Sequence, residues 1–137
     1  MELFRQGFAC SQAVLAGCGK QFGLDEQTAF RVACGFGGGC ARLGLTCGAV
    51  TGAYMAIGLK HGKIRADDNE AKDKTYALVQ EFSRRFVARN KSLNCTELLG
   101  CDLGTAEGRE KSKEQNLATT ICEKLVRDAV EILEEIL

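Results

Sequence analysis

Eight cysteines, at positions 10, 18, 34, 40, 47, 95, 101 and 122, carry most of the chemistry that this 137-residue chain can offer. In a reducing compartment thiols rarely pair for structure, so a set this dense points to metal or redox chemistry. A thiolate is both a soft metal ligand and the nucleophile of disulfide exchange. The spacing narrows the field. No two of these cysteines stand three apart, so the CxxC pairs of zinc ribbons, thioredoxins and ferredoxins are absent, as is CxxCH. Any site must gather thiols from distant segments, and the remaining cysteines are expected to be small buried hydrophobes. Other chemistry is thin. His61 is the lone histidine and is expected to end a helix, which leaves no Ser/His/Asp set. The GFGGG run at 35–39 lacks the Lys-Ser/Thr ending and the preceding strand of a phosphate loop.

The elements that must position these thiols read as helices. There is no proline, and apolar residues recur at three- and four-residue steps. A short turn over Leu3 to Gly7 precedes a helix from Cys10 to Phe22, which Gly23 closes. A second spans Asp25 to Phe36, and a third Thr46 to about Lys60. Asp67 and Glu70, three apart, are expected to cap the longest helix, with Tyr76, Val79, Phe82, Phe86 and Val87 as its apolar stripe. Asn94 to Leu99 is a short helix. A last one runs from Lys111 to the C-terminus with a seam of Ala118, Ile121, Cys122, Leu125, Ala129, Ile132, Leu133 and Ile136. The expected fold is all-α, a single domain over 1–137 built as a bundle of about five or six helices.

On this reading three cysteines share one kind of place. Thr46 and Asn94 are good N-caps, which makes Cys47 and Cys95 first helical residues; Cys10 also opens a helix, after the poor cap Ala9. The unpaired N–H groups of a helix start favour thiolate, so Cys47 and Cys95 are expected to ionise below an ordinary cysteine. Cys122 is expected mid-helix, facing inward. Gly48, Ala49, Gly52 and Ala53 leave one helix face nearly bare, open to a neighbouring helix or to an inorganic ligand.

Cys47 to Gly52 reads CGAVTG, after the glycine-rich GGGCARLG; GFACSQAV surrounds Cys10, CTELLG follows Asn94, and Cys122 lies late in the chain. This ordered set resembles the C_GCAxxG_C_C family of redox-active proteins and spans essentially the whole chain. The resemblance implies that the family cysteines are Cys10, Cys47, Cys95 and Cys122. Family members often carry Asn before the first of these, where this chain has Ala9. The string GCAxxG also fits Gly39 to Gly44, which keeps Cys40 open in place of Cys47; Cys101, six residues after Cys95, is the rival to Cys122. The family is also similar to a domain of certain multihaem cytochromes for which an iron–sulfur cluster has been proposed.

Balanced charge, 18 basic against 18 acidic residues, gives no basic surface for nucleic acid. The uncharged stretch 43–59 is short for a membrane span, and MELFRQGF lacks a signal peptide's apolar run, so a cytoplasmic location is expected. The first functional reading is electron transfer by an iron–sulfur cluster on Cys10, Cys47, Cys95 and Cys122, with Gly48 and Gly52 letting it approach. The second is thiol–disulfide exchange or redox sensing with Cys47 and Cys95 as the reactive thiols. A structural zinc on the same four thiolates is the third, and a helical module with packed thiols the fourth. The expected partner is a redox protein of unnamed identity, with a homodimer open.

Overall fold

Two helices approach one another closely enough to exclude a methyl group. In a computed structural model that describes residues 1–137, α2 (Cys10–Gly19) lies against α4 (Gly48–His61). A Cβ built on Gly52 would stand 2.8 Å from the Ser11 carbonyl oxygen and 3.1 Å from the Val14 Cβ. The small side chains of CGAVTGA are therefore a packing surface, and Val14, Ala49, Val50 and Ala53 are fully buried along it.

Around this pair stand α1 (Glu2–Arg5), α3 (Glu26–Ala33), α5 (Asn69–Asn90) and α8 (Glu123–Ile136). Two shorter helices, α6 (Cys95–Leu99) and α7 (Ala106–Glu114), bring the total to eight, more than the five or six expected. The fold is all-helical. Part of the excess comes from the C-terminal segment, which is not one helix from Lys111: it breaks after Glu114 and resumes through a π-helical turn, Ala118–Cys122. The wider turn shifts the helical register, so Leu117 is buried where the expected seam began at Ala118, which is exposed.

The rest of the core follows from pattern and pairing. Phe82 and Phe86 of α5 are fully buried against α4, whereas Tyr76, expected on the same apolar stripe, is 61% exposed. Leu125, Val126, Ala129, Ile132 and Leu133 form the inner face of α8. Asp128 is also buried there, and Lys124 (2.6 Å) and Arg89 (3.3 Å) ion-pair with it, linking α5 to α8. On the other side Phe8 stacks on Phe30 at 3.9 Å, and Gln12 Nε2 donates to the Phe30 carbonyl, fastening α2 to α3.

Helix starts differ from expectation in two places. Asp68, not Asp67, caps α5 by accepting from the Ala71 N–H. Cys47 itself, not Thr46, is the N-cap of α4. Thr46 instead forms an isolated antiparallel bridge with Asn94. No helix is long and apolar enough to cross a membrane.

The α2–α4 contact sets a paired test. Gly52→Ala should destabilise the protein by about 1–3 kcal/mol, because overpacking against a backbone carbonyl outweighs the helix propensity gained. Gly58→Ala, in the same helix but with nothing within 4 Å of the added methyl, should stabilise it by up to about 1 kcal/mol. Chemical denaturation reads both. Equal shifts in the two variants would mean that α2 and α4 separate at no cost.

Candidate functional site

Four segments end at one cavity. Cys10 opens α2, Cys47 caps α4, Cys95 opens α6 and Cys122 closes the π turn before α8. All four line a void of about 170 Å³. Its other walls are apolar side chains, among them Phe4, Leu98, Leu99 and Leu103, together with the backbones of Gly38, Gly39 and Gly48. No acid, base or histidine lines it.

Local hydrogen bonding explains the convergence. The Cys47 N–H donates to the Leu93 carbonyl at 2.8 Å, and the Cys95 N–H donates to the Leu45 carbonyl at 2.6 Å. These two bonds flank the Thr46–Asn94 bridge and hold the starts of α4 and α6 side by side. Asn94 then caps α6 through Oδ1, which accepts from the Glu97 N–H at 3.0 Å. At α2, where Ala9 cannot cap, Gln12 Oε1 reaches back to accept from the Ala9 N–H. Glycine clears the room between these ends. A Cβ on Gly39 (φ +70°) would lie 2.6 Å from the Cys95 Cβ, and one on Gly48 would lie 3.3 Å from the Cys10 Cβ.

The remaining cysteines stand elsewhere. Cys18 is buried in the main core, Cys34 is exposed, and Cys101 packs with Cys95, Leu99 and Leu117 behind the cavity. Cys40 sits in a left-handed turn (φ +67°) and does not line the void. Gly48 is on the cavity wall, but Gly52 faces the backbone of α2. The leucine walls have no signal in the sequence; the glycine run at 35–39 stands out there, but as a failed phosphate-loop match and not as a cavity wall.

Electrostatics overturn the expectation of easily ionised Cys47 and Cys95. Burial pushes Cys47 up to about 11, although the N–H groups of Ala49 and Val50 pull the other way. Burial, with the neighbouring Cys47 and Cys122, pushes Cys95 up to about 12. In an apolar pocket, desolvation outweighs the helix start. Cys10 and Cys122 are neighbours on the cavity wall, and the interaction between their side chains raises Cys10 and lowers Cys122. No three Cys, His, Asp or Glu side chains close on a common point as the ligands of a single ion would.

In the metal-free reduced protein, Cys122 should therefore alkylate ahead of Cys47 and Cys95 as pH rises, and Cys10→Ala should slow Cys122 by removing the neighbour that lowers its pKa. Because Cys47 and Cys95 ionise more readily unfolded than folded, their contribution to stability is intact below the ordinary thiol range. It should be lost as pH climbs toward about 11 and 12 respectively. Mass-resolved alkylation and denaturation against pH measure these effects. Cys47 reacting first would refute the order.

The sequence profile of the family described as "Putative redox-active protein (C_GCAxxG_C_C)" matches residues 8–136. No curated protein and no solved structure shows significant similarity to the chain. The family match takes in every element that reaches the cavity except α1, and all eight cysteines. The chain belongs to the C_GCAxxG_C_C family of redox-active proteins.

Proposed function

We propose that this protein transfers electrons through an iron–sulfur cluster held by Cys10, Cys47, Cys95 and Cys122. The observation that carries the reading is the void itself, about 170 Å³ walled by four thiols from four segments. A single zinc ion, at about 2.3 Å from each sulfur, would draw four thiolates into mutual contact and leave no such space. A polynuclear centre needs that space, and all-thiolate, oxygen-free ligation suits iron and sulfide. Bound there, the cluster would supply a one-electron carrier. The chain's own contribution is positional. Gly39 and Gly48 keep side chains out of the volume beside Cys95 and Cys10, while Leu98, Leu99 and Leu103 limit access of water. Each thiol gives up its proton on ligation, and positive metal charge offsets the burial that otherwise opposes ionisation. Electrons would pass to and from a separate redox protein.

One contact favours a second reading. Cys10 and Cys122 line the same cavity wall, and the interaction between their side chains lowers the pKa of Cys122. In thiol–disulfide exchange these two, rather than Cys47 and Cys95, are the better pair. Their oxidation would form one S–S bond, with two electrons and two protons passing to a partner's disulfide.

Anaerobic purification separates the readings. Iron and acid-labile sulfide with a brown visible spectrum are expected, and single Ser substitutions at positions 10, 47, 95 and 122 should lower both metal content and Tm. Substitutions at Cys18, Cys34, Cys40 and Cys101 should leave the metal in place. A colourless, iron-free protein whose Cys10 and Cys122 pair on oxidation would favour exchange. Metal lost from Cys101→Ser but kept by Cys122→Ser would move the site.

A further inference from the structure

Between Arg31 and Lys60 the chain carries a single charge, Arg42. The backbone holds it in an uncommon way. Cys40, Ala41 and Arg42 all have positive φ (+67°, +54° and +67°), a conformation that costs roughly 1–2 kcal/mol per non-glycine residue. A loop in this shape survives only where its surroundings impose it. Here a Cβ on Gly104 would lie 3.0 Å from the Arg42 carbonyl oxygen, and one on Gly38 would lie 3.1 Å from the Arg42 Cγ, so glycines accommodate the arginine from both sides.

Arg42 is brought to a second pocket, of about 370 Å³, distinct from the thiol cavity. Arg109 and Lys113, one turn apart on α7, share this pocket with it, and Ser112 and Asn116 add hydrogen-bonding groups. Arg109 is steadied by donating from Nη1 to the Leu103 carbonyl at 2.9 Å. None of the three cations forms a salt bridge. No carboxylate lines the pocket, although Glu110 and Glu114 lie on the same helix. Arg5, Arg84, Arg85 and Arg89, by contrast, each hold a glutamate.

Three like charges around one concavity repel one another, and an anion between them relieves that repulsion. The volume falls within the range of small-molecule sites and exceeds what one halide needs. Leu103 lines both this pocket and the thiol cavity, so a molecule bound here would sit one side chain away from the sulfurs.

We infer that the pocket of Arg42, Arg109 and Lys113 binds a small dianion or trianion, a phosphate ester or polycarboxylate, beside the thiol cavity. Guanidinium groups recognise both through paired N–H donors, and Ser112 and Asn116 can complete the set. The inference does not depend on a metal centre, because binding is read on the purified chain whatever the cysteines hold.

Calorimetric titration with pyrophosphate and, separately, citrate tests it and tells the two ligand chemistries apart. Saturable binding of at least one is expected, weakened about ten-fold or more by Arg42→Gln and by Arg109→Gln, and weakened further by added salt. Lys113→Gln, which breaks no hydrogen bond of the fold, should weaken binding too. Lys91→Gln, far along the chain in another loop, should not. No saturable binding below roughly 10 mM overturns the inference, as does equal affinity in the three pocket variants. So does an equal loss in Lys91→Gln, which would mean diffuse attraction rather than a pocket.

Discussion

The approach of α2 to α4 is the constraint on which the rest of the molecule depends. At Gly48 and Gly52 the two backbones come within side-chain contact distance, which no larger residue would permit. That approach buries Val14 and Val50, gives α5 and α8 a common surface to cover, and puts the N-terminal ends of both helices at one corner of the bundle. Cys10 and Cys47 occupy those ends. Packing and site geometry thus arise from the same residues, and a change at Gly48 touches both.

The corner is completed by features of a different kind. A bridge of two backbone hydrogen bonds brings Cys95 beside Cys47, and a π turn brings Cys122 beside Cys10. π turns inside helices are often found where a side chain must be aimed. Here the turn shifts register so that Leu117 and Leu125 both reach the interior while Cys122 stays on the cavity wall. The resulting environment is apolar. It disfavours free thiolate and favours sulfur that is protonated, bonded to sulfur, or bound to a cation.

Much of this was legible in the residues. Helical periodicity gave the all-α fold, Gly23 gave a helix end, and Asn94 acts as the expected cap. The four cysteines that line the cavity were grouped by helix position and by their order in the chain. What was hidden depends on partners distant in sequence. Nothing local says that Thr46 pairs with Asn94, so Thr46 read as a cap. A uniform helical period cannot reveal a π turn, so the final helix read as continuous from Lys111 and its seam began one residue late. A helix start argues for an acidic thiol; only burial, which the sequence does not display, reverses the sign at Cys47 and Cys95.

The distances along the chain between the cavity cysteines have a topological consequence. From Cys10 to Cys47 is 37 residues, from Cys47 to Cys95 is 48, and from Cys95 to Cys122 is 27. Any covalent or coordinate bond joining these sulfurs closes loops of such length, and each closure removes disorder from the unfolded chain worth about 3–4 kcal/mol. Joining all four would tie nearly the full chain into three stacked rings. A domain this small would then owe a large share of its rigidity to one point. Oxidation or reduction at that point would be felt as a change in how freely the whole chain can unravel.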